Sequence, residues 1–191
     1  MAQIDIEKIV QSVVDSLSAD LSGERLNLSP DATTRLAPVN EKDDVTHLAL
    51  GSDQTALEQK DILKTYLESV GYKVTDVGTN TSEGVDFPDV ALAVAKKVAS
   101  GACERGIMLD TDGIGSAIVC NKVKRIRAAL CYDMRSVVNS REFVNANVMC
   151  LGGPFHNRAE LCEMAKLWLE LRFPAGERWS TINKIMSIER Q

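Results

Sequence analysis

The stretch Arg105-Gly106-Ile107-Met108-Leu109-Asp110-Thr111-Asp112-Gly113-Ile114-Gly115-Ser116 decides the fold. Its first half, RGIMLD (105–110), is a short apolar run that reads as a buried strand. The run breaks at Asp110-Thr111-Asp112-Gly113 and resumes as GIGSAIVCNK (113–122), which reads as a helix after a glycine turn. Strand, sharp turn, helix is the unit from which parallel sheets are built.

Outward from this stretch the same alternation repeats. Upstream, THLALGS (46–52) reads as a strand, and Asp53 stands where it can cap a helix running to about Val70. Gly71 ends that helix and Tyr72–Val77 is the second strand. Pro88 sits near the start of a helix that runs to about Ala99. Downstream come a strand over Arg127–Cys131, a helix over Asp133–Phe143 and a strand over Asn147–Gly152. A long helix over Asn157–Leu171 and a last one over Trp179–Glu189 complete the pattern. Five strands joined by short links predict an α/β domain over 46–191, with a parallel sheet covered by helices on both faces. Ligands of such sheets bind beyond the carboxyl ends of the strands. Three sharp turns fall there: Gly51-Ser52-Asp53, Asp110 to Gly113, and Gly152-Gly153.

The amino-terminal part differs. Ile6, Ile9, Val10, Val13, Val14, Leu17 and Leu21 recur at helical spacing, with Glu7, Lys8, Gln11, Asp15 and Asp20 between them. This predicts an amphipathic helix over 1–21 with a narrow apolar stripe. Residues 22–45 lose periodicity, are rich in Ser, Asn, Pro, Thr and Asp, and contain Pro30 and Pro38. They read as a flexible linker, since a loop of that length is unusual inside a compact domain.

Composition bounds the function. Of 191 residues 45% are hydrophobic and 26% charged, as in a packed globular protein, and the net charge is −5. That acidic balance argues against nucleic-acid and membrane-surface partners, which select a basic face. No apolar run approaches the roughly 20 residues that span a bilayer. MAQIDIEK lacks the basic start of a secretory signal, so a cytoplasmic protein is expected. Five cysteines without a C-x-x-C pair read as free thiols in a reducing compartment, filling the core as small hydrophobes.

The chemistry concentrates in 110–116. Gly113 and Gly115 let a backbone approach a ligand closely, and free N–H groups at a helix start favour an anion. Asp110 and Asp112 repel a phosphate in that turn, yet suit proton transfer next to a carbonyl. Either acid can equally serve as a helix cap. Asp53 has the same two readings, and Gln54 can bond a sugar hydroxyl. Asn121 and Lys122 close the helix that follows the turn. His47 lies in a strand and His156 at a helix start. No Ser-His-Asp or Cys-His pairing and no metal-ligand spacing is present, so neither metal nor cofactor is expected.

The blocks GSDQTALEQK (51–60), YLESVGYKVTDVGT (66–79), VDFPDVALAVAKKVASG (85–101), RGIMLDTDGIGSAIVCNKVKRIRAALCYD (105–133) and SREFVNANVMCLGG (140–153) occur in a telling order. Together they resemble the type B ribose-5-phosphate isomerases and the two galactose-6-phosphate isomerase subunits, over about 47–188. The resemblance implies a Rossmann-like three-layer fold and a dimer or tetramer with active sites between subunits. It also implies aldose–ketose isomerisation of a phosphorylated sugar through an enediolate, without a metal.

Several positions depart from the family pattern. Asp53 matches the aspartate of G-x-D-H, but Gln54 replaces the histidine and Phe87 replaces the tyrosine of D-Y-P. Asp110 stands where many members have the cysteine base of C-G-T-G-I-G, and Thr111 and Asp112 replace the next two residues. Gly113, Ile114, Gly115, Ser116, Asn121 and Lys122 keep the pattern of the substrate-binding turn and helix. Phe143 falls at the ring-opening histidine and Pro154 at a phosphate-binding arginine. Arg178 aligns with the first arginine of a tail motif whose second is Ile182.

These changes leave two readings open. One is an isomerase with Asp110 as base, aided by Asp53 and Asp112, acting on an open-chain or unphosphorylated sugar. The other is a degenerate partner subunit or sugar-phosphate binder. The helix over 1–21 resembles the encapsulation peptides of bacterial microcompartment cargo, which dock an apolar face on a shell protein. Packing on the protein's own oligomer is the other reading of that helix.

Overall fold

The computed structural model describes residues 45–80, 84–174, 176 and 178–189. The helix expected over 1–21 lies outside them, as does the linker expected over 22–45 apart from Val45.

Five strands are present: β1 (His47–Ser52), β2 (Lys73–Asp76), β3 (Arg105–Asp110), β4 (Ala128–Leu130) and β5 (Val148–Gly152). Six helices are described: α1 (Leu57–Ser69), α2 (Phe87–Ala99), α3 (Ile114–Cys120), α4 (Met134–Glu142), α5 (Arg158–Glu170) and α6 (Arg178–Ile188). The strands form one parallel sheet in the order β2-β1-β3-β5-β4, with pairs such as Leu48↔Arg105, Asp110↔Gly152 and Leu130↔Cys150.

The two-residue period of the central strands sorts the core into two layers. Leu48, Leu50, Ile107, Leu109, Met149 and Leu151 face α1, α4 and α5. Ala49, Met108, Val148 and Cys150 face α2 and α3. Small residues let α2 lie close on that side: a Cβ on Gly51 would sit 2.8 Å from methyls of Val90 and Val94. Both faces are thus covered, as a sheet of apolar strands requires.

The termini of the helices follow local chemistry. Gly71, at φ 99, ends α1, where Tyr72 N–H bonds Leu67 O at 3.0 Å and Gly71 N–H bonds Glu68 O at 3.2 Å. Asp133 and Ser136 cap α4 reciprocally, as Asn157 and Glu160 cap α5. Pro88 stands in the first turn of α2. Two details differ from expectation. Asp53 caps a 3-10 turn (Gln54–Ala56) that precedes α1, so α1 itself starts only at Leu57. The two edge strands are short, because only one neighbour supplies ladder bonds to each.

Chain order sets the crevice. After β1 the chain enters α1 on one face, while after β3 it enters α3 on the other. Neighbouring strands whose exits diverge leave a gap at their carboxyl ends, and this is the switch point where such sheets bind ligands.

Candidate active site

The loop after β1 begins the site. Asp53 is 6% exposed, and its Oδ1 accepts the Thr55 N–H at 2.9 Å and the Thr55 hydroxyl at 2.6 Å. Its other oxygen takes no donor among the described residues. The capping role is therefore real and uses half of the carboxylate. Thr111 donates its hydroxyl to Thr55 Oγ1 at 3.1 Å, which ties the β3 loop to the β1 loop. Gly153 completes the junction: a Cβ there would meet Ala56 Cβ at 2.5 Å. The three turns expected at the carboxyl ends are in mutual contact. Gln54 is exposed beside Gly84, with its Nε2 3.8 Å from where a Cβ on that glycine would lie. A Cβ on Gly115 would meet the Phe87 ring at 2.7 Å, so Phe87 lies against the glycine turn.

The geometry of Asp110 favours a different task from the one its position suggests. The side chain is 4% exposed and folds back into its own loop. Oδ1 accepts the N–H groups of Asp112, at 2.9 Å, and of Gly113. Oδ2 accepts the Ser116 N–H at 3.3 Å and the Ser116 hydroxyl. An ionised carboxylate has about four lone-pair sites, and all four are taken. The expected anion-binding turn is accordingly filled by an anion of the chain itself. Gly113 makes this possible, with φ at 78° and Leu130 Cδ1 2.6 Å from where a Cβ would stand. Of the turn's donors, the Ile114 N–H bonds Asp112 Oδ1 at 2.9 Å, and the Gly115 N–H has no acceptor among the described residues.

Asp112 points the other way. It is exposed, one of its oxygens has no donor among the described residues, and it lines a cleft of ≈ 790 Å³. Ile114, Leu130, Cys131, Tyr132, Asp133, Met134, Gly152, Phe155, His156, Glu160 and Met164 line the rest. The turn 110–113 thus separates two half-sites, Asp53, Gln54 and Thr55 on the β1 side and Asp112 with the cleft on the β5 side. Burial pushes the Cys131 thiol up to about 11, so at neutral pH it is a protonated wall residue rather than a nucleophile. Among the described residues, no group of three or more His, Cys, Asp or Glu side chains could hold a metal ion.

Three expected binding residues lie elsewhere. Asn121 closes α3, about 10 Å along the helix at ~1.5 Å per residue. Its amide is occupied by Ala117 O, Ala128 O and Ala128 N–H, all at 2.9 Å, latching α3 to β4. Lys122 is exposed beside it. Arg178 bonds Glu142 O at 2.8 Å and covers the Phe143 ring at 4.2 Å, at the end of α4 away from the cleft. In the other direction, Thr55, Tyr132, Phe155 and His156 were not expected in the site. His156 had one sequence cue, its place just after the Gly152-Gly153 turn.

Comparison with known proteins places the chain in a family. The family model described as Ribose/Galactose Isomerase matches residues 48–185. D-erythrulose-4-phosphate isomerase of Pectobacterium atrosepticum is 37% identical over 145 residues, 75% of this chain and 95% of that protein. The structure of Clostridium thermocellum ribose-5-phosphate isomerase B superposes with a TM-score of 0.73 at 36% identity, covering 75% of this chain and 97% of that one. Ribose-5-phosphate isomerase B of Mycoplasma genitalium, solved with bound ribulose-5-phosphate, gives 0.72 at 31% identity over 76% and 97%. The chain belongs to the ribose/galactose isomerase family, and its five-stranded Rossmann-like sheet is the fold of these structures.

Proposed function

We propose that this member of the ribose/galactose isomerase family is an aldose–ketose isomerase of sugar phosphates that carries the transferred proton on Asp112. The observation behind the assignment is the contrast between neighbouring acids: Asp110 has every acceptor site filled, while Asp112 presents an unpartnered oxygen to the cleft. Asp112 takes the proton from the carbon beside the carbonyl and returns it to the adjacent carbon. The Gly115 N–H, at a helix start, bonds the oxyanion of the enediolate. The second oxygen of Asp53 and the Gln54 amide bind substrate hydroxyls from the β1 side.

The wall of the cleft holds Asp112, Asp133 and Glu160 but neither lysine nor arginine among the described residues. A phosphate there calls for cations from a second copy of the chain. Exposed Ile114 and Ile118, one helical turn apart on α3, fit burial against such a copy, in a homodimer with shared sites. Residues 1–21 are then a docking helix for a microcompartment shell or for the oligomer; deleting them should change localisation or assembly.

The test is proton exchange in deuterated water with four-, five- and six-carbon aldose and ketose phosphates and the free sugars. Deuterium entering C1 or C2 of one substrate is the expected result. The filled turn also favours a second reading, a catalytically degenerate partner subunit. Absence of exchange, together with co-purification of a homologous subunit, would establish that reading instead.

A further inference from the structure

We propose that His156 is the acid that opens the ring of cyclic sugar substrates in this cleft; this rests on the isomerase reading above. Five- and six-carbon aldoses exist mainly as cyclic hemiacetals, and proton abstraction beside the carbonyl requires the open chain. Opening needs a proton donor at the ring oxygen and an acceptor for the proton of the anomeric hydroxyl. The chain has two histidines. His47 starts β1 at the opposite edge of the sheet, where its Nε2 pairs with Thr75 Oγ1 at 2.7 Å. His156 lines the same cleft as Asp112 and is half-buried, and its ring has no hydrogen-bond partner among the described residues.

Packing brings the turns that carry the two groups together at the cleft. A Cβ on Gly152 would meet Asp112 Cα at 3.0 Å and Phe155 Cδ2 at 2.6 Å, so the turn bearing His156 rests on the turn bearing Asp112. The His156 N–H bonds Gly153 O at 3.3 Å, and the Asn157 cap of α5 follows at once. Imidazole is the side chain suited to giving and regaining a proton near neutral pH. Exposed Tyr132 and Phe155 flank the cleft as apolar faces for a sugar ring.

The step balances as follows. Protonated His156 gives its N–H proton to the ring oxygen as the bond from that oxygen to the anomeric carbon breaks, the electron pair going to oxygen. The carboxylate of Asp112 takes the proton of the anomeric hydroxyl as the carbonyl forms. Exchange with water in the open cleft recharges both groups before carbon-bound proton transfer begins.

The experiment compares the full chain with a His156→Gln variant on D-ribose 5-phosphate, which closes to a furanose, and on D-erythrulose 4-phosphate, which cannot. A loss of about 100-fold or more on the pentose, with the four-carbon substrate turned over within about threefold of wild type, is expected. Retained four-carbon turnover also shows that the variant is folded. Equal losses on both substrates, or none on either, would overturn the proposal. Wild-type turnover of the four-carbon substrate alone would overturn it and leave the isomerase reading standing; turnover of neither would overturn both.

Discussion

The two edges of the sheet solve the problem of polar groups in opposite ways. At the amino-terminal edge every buried cation is tied to carbonyls. Arg105 donates to Trp168 O, Leu169 O and Leu171 O, and Arg141 to Leu171 O, Asn145 Oδ1 and Ala146 O. Their guanidinium groups lie 5.3 and 5.8 Å from the ring of fully buried Trp168, whose N–H bonds Ser140 Oγ at 3.0 Å. At the carboxyl edge Asp110 is saturated, and buried Lys60 is tied to Asp76, Thr79 O and Asn80 Oδ1, but the groups around the cleft are not. Asp53 keeps one free oxygen, Asp112 another, and the His156 ring stands open to the cleft. Groups left without partners in an otherwise satisfied fold are those available to a ligand.

Substitutions at the two edges should therefore separate stability from turnover. The largest loss is expected at the sewn edge: Trp168→Ala should lower unfolding free energy by about 4 kcal/mol in urea titration. Turnover per folded molecule should stay close to wild type. Asp110→Asn should come next, near 2 kcal/mol, because an amide nitrogen cannot accept the Ser116 or Gly113 N–H.

Alkaline stability gives a smaller, pH-limited effect. Burial raises the Cys131 thiol from 9.0 to about 11. Its contribution is complete below pH 9, where folded and unfolded thiols are both protonated. Between those values only the unfolded chain gives up the proton, so stability falls as pH rises, by at most about 3 kcal/mol. The Cys131→Ala variant should show a shallower decline over the same window in thermal melts. The exposed ion pair of Arg158 and Glu58 at 2.7 Å, by contrast, should be worth under about 0.5 kcal/mol when Arg158 is replaced by Ala.

Much of the fold was legible in the sequence because apolar alternation and helix caps are local. RGIMLD matches β3 to the residue, and the Gly71 stop and Asp133 cap fall where expected. The three glycine or acid turns at the strand ends were legible, but not the wiring of their side chains. The sequence gives no cue that Asp110 folds inward and Asp112 outward, since both stand in one turn and the choice depends on which N–H groups surround each carboxylate. Asn121 and Arg178 kept their place in the family pattern, yet their side chains are spent on Ala128 and Glu142. His156 enters the cleft through the packing of Gly152 against Asp112, a contact between segments remote in sequence.

The division of labour between Asp110 and Asp112 is most directly tested by deuterium exchange into a turned-over sugar phosphate, comparing Asp112→Asn with Asp110→Asn at matched folded concentration. Asp112→Asn should lose exchange by roughly 10³-fold with its melting temperature unchanged, while Asp110→Asn should retain exchange within about tenfold despite its lower stability. Exchange that survives in Asp112→Asn, or that vanishes in a fully folded Asp110→Asn, would contradict the assignment and return the base to Asp110.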